Sequence, residues 1–135
     1  MASFVDTNVL VYAFDAGTPE KRARAQAILT QADLELVVSA QVLQEFYWVA
    51  TRKLAPALPA DVAREAVRQF TLGPVVALDA GLVVQAIDLA RQHDIALWDA
   101  AIVVAAQRAH CDTLLTEDLH DGQAFGEVTV RNPFA

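Results

Sequence analysis

The sequence predicts a three-layer α/β domain with a mainly parallel central sheet, on three observations. Short apolar runs rich in β-branched residues, at 35–38, 75–78, 113–116 and 128–130 after an opening run from Ser3, alternate with longer segments whose apolar residues recur at helical spacing. Three runs hand over to Asp6, Ser39 and Asp79, side chains that accept the orphan N–H groups of a following first turn. Residues 98–109 are apolar almost all round, which marks a helix covered on most sides. Strand, cap and helix in repeated succession is the pattern of parallel strands joined by helical crossovers. At 135 residues the whole chain, 1–135, is expected to be one domain large enough to bury its own core.

Taken in order, Ser3-Phe4-Val5 forms a buried strand, and Asp6-Thr7-Asn8 leads into a helix over 9–14, closed by Asp15-Ala16-Gly17. Val9 and Val11 would favour a strand, but the capping sequence ahead of them favours the helix. Thr18 caps and Pro19 opens the next helix, which runs to about residue 32. Ser39 caps a helix over 40–54 whose main apolar face is Leu43, Phe46, Tyr47, Ala50 and Leu54. After a turn between Pro56 and Pro59, a helix over 61–71 turns Val62, Ala66, Val67 and Phe70 to one side, and Gly73-Pro74 ends it. Asp79 caps a helix whose buried stripe is Leu82, Val83, Ala86, Ile87 and Ala90. His93-Asp94 links it to the helix over 98–109. The strand at 113–116, a loop over 117–126 with an Asp121-Gly122 turn signal, and a strand at 128–130 complete the chain.

Composition narrows the function. A hydrophobic share of 55% is high for a small monomer, so surplus apolar surface predicts an oligomer or partner interface. Seventeen acidic against ten basic residues give a formal charge of −7, which opposes a general nucleic-acid binder held by phosphate contacts. That argument weakens if several acids converge on a divalent cation, which returns two positive charges locally. The basic clusters at 21–24, 52–53 and 64–68 are ordinarily solvated helix faces, though Arg22, Arg24, Arg52 and Lys53 are candidates for a dedicated binding role. The single cysteine, Cys111, excludes an internal disulfide and fits a reducing compartment. No stretch reaches membrane length and the opening run carries no basic leader, so a cytoplasmic protein is expected.

Four carboxylates stand out against apolar surroundings. Asp6 ends the first strand, at the sheet edge where open α/β folds bind ligands; the plain alternative is a helix cap. Glu45 has Val42 and Val49 one turn away and Trp48 beside it, so burial or half-burial is expected. Asp99 opens the apolar helix, where an ordinary first-turn acid would also be favoured by the helix dipole. Asp118 follows the strand at 113–116, where a simple turn residue is equally at home, and Asp121 comes three residues later. All four can reach one edge of the sheet. Gathered there they raise one another's pKa, and a hard divalent cation relieves that repulsion; oxygen donors without paired histidine or cysteine favour Mg²⁺ or Mn²⁺ over zinc. His93, His110 and His120 show no metal-ligand spacing.

These residues resemble the PIN-domain ribonucleases, specifically the VapC-like toxins of type II toxin-antitoxin systems. The resemblance spans nearly the whole chain: DTNVLVYAFD at the start, SAQVLQEFYWVATRK around Glu45, LWDAAIVVAAQ around Asp99, LLTEDLHDGQ around Asp118 and VRNPF at the end. It implies that Asp6, Glu45, Asp99 and Asp118 form a catalytic, metal-holding site, that Asn8 and Thr116 are its polar supports, and that Ser39 opens the helix bearing Glu45. Asp121 matches an acid found in only some members. It further implies a Mg²⁺- or Mn²⁺-dependent endoribonuclease that leaves a 5′-phosphate and a 3′-hydroxyl, a cognate antitoxin partner and a homodimer.

Other readings fit less well. A haloacid-dehalogenase-type phosphatase needs a second aspartate two residues after the first, where Asn8 stands. A response-regulator receiver needs a late lysine, and the last one here is Lys53. The stronger rival is a non-catalytic PIN scaffold that binds a partner.

Overall fold

The first strand, β1 (Ala2–Val5), lies between two neighbours that arrive from distant parts of the chain. The computed structural model describes residues 2–135. On one side of β1 is β2 (Glu35–Ser39), reached through α1 (Thr7–Tyr12) and α2 (Pro19–Leu29); beyond it lies β3 (Val75–Val76), reached through α3 (Ala40–Arg52) and α4 (Ala60–Phe70). The chain then reverses. Through α5 (Ala80–His93) and α6 (Leu97–Arg108) it returns to the far side of β1 as β4 (Thr113–Leu115), followed outward by β6 (Val128–Arg131) and β5 (Ala124–Phe125). The order β3-β2-β1-β4-β6-β5 is parallel except for the β5–β6 pair. Because parallel crossovers are right-handed, reversing direction along the sheet puts the helices on opposite faces, which gives the three layers the sequence predicts. The reversal falls between β1 and β4, the crevice where open α/β sheets bind ligands.

Alternating side chains fill both layers. Phe4, Val5, Leu114 and Val130 from the strands meet Leu10, Phe46 and Val103 from the helices, all buried. Helix α6 is buried continuously from Ala100 to Ala106, as its apolar composition requires.

Several expectations are corrected. The α1 helix starts at Thr7 with Asp6 as its cap. Thr18 gives α2 no side-chain cap; its hydroxyl donates to Asp15 Oδ2 at 3.2 Å. The α4 helix buries Ala63 and Ala66 while Val62 is exposed; the small residues let it approach α3 closely. On α3, Tyr47 is exposed and Val42 buried; on α5, Val83 and Ile87 of the expected stripe are exposed. The strand expected at 75–78 stops at Val76, which pairs with Ser39, because β2 ends there and leaves the chain beyond without a partner. The loop over 117–126 contains β5, joined to β6 by a two-residue Gly126-Glu127 turn in which Gly126 adopts φ 62°. The Asp121-Gly122 turn forms as expected, with Gly122 at φ 88° and its N–H donating to Val130 O.

Candidate active site at the carboxyl edge of the sheet

Register alone brings the first two polar groups together. Val5 pairs with Leu115 in the parallel β1–β4 ladder, and Asp6 N–H extends that ladder to Leu115 O at 3.0 Å. Asp6 and Thr116, the next residue on each strand, therefore stand side by side at the crevice. The Thr116 hydroxyl donates to Asp6 Oδ2 at 2.8 Å, and Thr7 N–H donates to Asp6 Oδ1 at 2.7 Å. Thr116 is fully buried and uses all its capacity, since it also accepts from Asn8 Nδ2 and from Asp118 N–H, each at 3.1 Å. Asn8, one turn into α1, spans the crevice: Nδ2 donates to Asp118 Oδ2 at 3.1 Å, and Oδ1 accepts the Glu117 N–H at 3.4 Å.

Glu45 is half-buried on α3, and both of its oxygens are held. Thr7 Oγ1 donates to Oε2 at 2.9 Å, and Gln41 Nε2 donates to Oε1 at 3.1 Å. The same Gln41 amide donates to Trp98 O at 3.3 Å, so one buried side chain ties Glu45 to the first turn of α6, where Asp99 lies. Asp99 is half-buried, and among the described residues no hydrogen bond holds its carboxylate.

The electrostatics record this gathering. Burial pushes the Asp6 carboxyl up from 3.8 to about 7, against the hydrogen bonds from Thr116 and Thr7, and the charges of Asp118 and Glu45 push it further. The Asp99 carboxyl is also raised, first by burial and then by Asp118 and Glu45. The four acids thus form one field of like charge. Among the described residues, no three His, Cys, Asp or Glu side chains converge on a single point at metal-ligand distance. The donor set still suits a hard cation. Mg²⁺ keeps most of its water and takes one or two carboxylates directly, so it needs no closed protein cage.

The other expected residues divide. Ser39 accepts the Val42 N–H at 3.2 Å and caps α3, opening the helix of Glu45 as expected. Asp121 is exposed, and its Oδ1 accepts the Asn132 N–H at 2.9 Å, so it fastens the C-terminal segment. Arg24 Nε donates to Pro133 O at 3.0 Å, Arg52 stacks 3.9 Å from the centre of the Trp48 ring, and Arg22 and Lys53 are exposed. Sequence reasoning missed Thr7 and Gln41. Gln41 was legible in principle, because it sits four residues before Glu45 on the same helix face.

A cavity of about 180 Å³ opens beside Glu45, walled by Gln41, Leu78, Val83, Ala86, Trp98 and Ala101. A wider groove of about 540 Å³ runs past Glu45 along Tyr47, Trp48 and Val49. Trp98 and Trp48 are 69% and 53% exposed, unusual for such large rings.

A doubly covered parallel sheet with an acidic cluster at its switch point defines a class of α/β domain, and the comparisons give its family. The PIN domain profile matches residues 3–121, and the chain belongs to that family. Solved structures share the fold at low identity. They include the sarcin-ricin loop cleaving toxin VapC20 of Mycobacterium tuberculosis (23% identity, 84% of this chain and 87% of that one, TM-score 0.69). A toxin-antitoxin complex from Klebsiella pneumoniae aligns over 98% of each chain at 19% identity and TM-score 0.71. FitAcB from Neisseria gonorrhoeae aligns over 98% of each chain at 24% identity and TM-score 0.67. Among curated protein sequences none matches the chain.

Proposed function

We propose that the protein is a Mg²⁺- or Mn²⁺-dependent endoribonuclease and the toxin of a toxin-antitoxin pair. The observation that carries this reading is the convergence of Asp6, Glu45, Asp99 and Asp118 on the β1–β4 crevice, with Asp6 and Asp99 both raised by burial and by the same two neighbours. Asp99, which no hydrogen bond holds among the described residues, and Asp118, held by a single amide donor, would bind the cation together with Asp6. When bound, that ion would supply Lewis acidity toward a phosphodiester and lower the pKa of an attacking water. Glu45, fixed through both oxygens by Thr7 and Gln41, orients water or accepts its proton. Trp48 and Trp98 offer stacking faces for unpaired bases beside Glu45, which suits single-stranded RNA, and Arg22, Arg24, Arg52 and Lys53 are the proposed backbone contacts.

The relatives solved with antitoxins support an analogous partner here, laid over the apolar groove. The exposed Leu72, Leu78, Val84 and Ile87 support a homodimer. No helix is long and apolar enough to cross a membrane, and the proposed location is the cytoplasm. The rival reading is a non-catalytic PIN scaffold that binds a partner. One experiment separates the two. Protein freed of any partner is expected to cut RNA with Mg²⁺ or Mn²⁺, to stop with chelator and to lose cleavage on Asp99→Asn; cleavage undiminished by that change refutes the assignment.

A further inference from the structure

Next to the four carboxylates stands a fifth, Glu117, one residue before Asp118 in the loop that leaves β4. It does not join them. Its Oε1 accepts the Tyr12 hydroxyl, and its Oε2 lies 3.0 Å from Lys21 Nζ. Lys21 Nζ also donates to the Tyr12 hydroxyl at 3.2 Å and stands 4.6 Å from the Tyr12 ring centre and 5.6 Å from that of Phe134. Phe134 packs edge-on against Tyr12 with centroids 4.9 Å apart. Helix α1 and helix α2 therefore meet on one carboxylate of the loop, and Phe134 of the C-terminal segment packs against the two side chains that hold it. On its other side the same loop enters the site: Glu117 N–H donates to Asn8 Oδ1, and Asp118 N–H to Thr116 Oγ1.

We infer that Lys21 is a positioning residue of this site: by fixing Glu117 against α1 and α2, it sets where Asp118 stands relative to Asp6 and Asp99. It acts through Glu117 and not on the RNA. With both of its oxygens engaged, Glu117 cannot swing into the crevice as a competing acid, and the loop is left to present Asp118 alone. The contact is tight enough to raise both Lys21 and Tyr12 above their ordinary ranges, chiefly through the hydrogen bonds each makes to Glu117. It is nevertheless part-exposed, at 40% for Lys21 and 23% for Glu117, so its share of global stability is small while its hold on the loop is direct. The basic run at 21–24 thus has a structural use in this fold, with Lys21 on the loop and Arg24 on the C-terminal segment.

The consequence for catalysis rests on the ribonuclease reading; the clamp itself does not, and the test keeps them apart. Lys21→Met, Glu117→Gln and the double variant are compared with the unaltered chain by residue-resolved amide exchange without metal or RNA, and by Mn²⁺ titration. Each single change is expected to speed exchange at Glu117 and Asp118 and to weaken Mn²⁺ binding by roughly two- to fivefold, the range of one part-exposed ion pair. Tm stays close to that of the unaltered chain. The double variant is no worse than the worse single, because both changes remove one contact. Unchanged exchange in Lys21→Met, or effects that simply add, would overturn the inference; weaker RNA binding with unchanged exchange would do so too, by placing Lys21 on the phosphates directly. An unaltered chain that binds no Mn²⁺ would sink the ribonuclease reading, and the exchange data would still decide the clamp.

Discussion

The β1–β4 crevice and the β3–α5 flank depart from ordinary surface chemistry in opposite senses. At the crevice, a carboxyl is drawn inward: Asp6 is 5% exposed, its pKa is raised first by that burial and then by Asp118 and Glu45, and a hydroxyl and an amide N–H hold it there. On the flank, apolar side chains are turned outward, with Leu72 at 72% and Val84 at 58% exposure. Each arrangement is unfavourable for the isolated chain. A buried carboxyl with half-buried and exposed acids around it suits a cation, and exposed aliphatic surface suits another protein surface. Departures from the usual inside-outside rule therefore mark the two places where the proposed cation and the proposed partner surface would bind.

The sharpest way to break the comparison is Asp6→Asn. Cleavage of RNA should fall by about a hundredfold or more, as when one electrostatic group is removed from an active site, and kcat should fall with it. The metal-free variant should also become more stable, so loss of function and gain of stability come from one substitution. Equal melting of the two proteins without metal would show that the crevice carries no strain of charge.

The pH dependence tests the same strain. Since the Asp6 carboxyl is raised from 3.8 to about 7, the folded chain retains a proton that the unfolded chain loses across that window. This group's contribution to stability is therefore full below about pH 4 and falls as pH rises toward 7. The advantage of Asp6→Asn in chelator should be largest near neutral pH, at most about 4 kcal/mol, and should close toward pH 4. Thermal melts across that range read it directly, and added Mn²⁺ should narrow the gap by stabilising only the unaltered protein.

A smaller effect is expected from Gln41→Leu, which keeps the volume but removes the amide that joins Glu45 to Trp98 O. Activity should drop roughly tenfold, as for other outer supports of a metal site, while stability changes by about 1 kcal/mol. Steady-state kinetics set beside melting curves would separate the two. The smallest effect on the fold is expected on the flank: Val84→Glu should shift stability within about 0.5 kcal/mol and leave metal binding intact, yet turn a dimer into a monomer in light scattering. A flank that tolerates the charge with no change of assembly would show that the exposed face has no partner copy.

Much of this architecture was legible because the relevant forces are local. The caps Ser39 and Asp79 form the predicted bonds to Val42 N–H and Leu82 N–H, since a side chain three residues from its donor needs no tertiary help. The apolar run of α6 announced its own burial. Elements shaped by their neighbours were not legible in this way. The early end of β3 follows from the end of β2, and the outward turn of Val62, Val83 and Ile87 follows from which helix each face meets. The short β5 strand was hidden because a two-residue hairpin of this size carries almost no periodicity.

The sequence by itself determined the succession of strands and helices, the positions of the acids at element ends, and their likeness to a known ribonuclease family, because periodicity, capping and motif order are written along the chain. Only the tertiary structure decided that Asp6 would lean on Thr116, that Glu45 would be held by Thr7 and Gln41, and that Glu117 would pair with Lys21. Those contacts join residues 38 to 110 positions apart, apart from the one-turn Gln41–Glu45 step. They depend on the parallel register and on the side of the sheet to which each crossover returns, and no local preference encodes either.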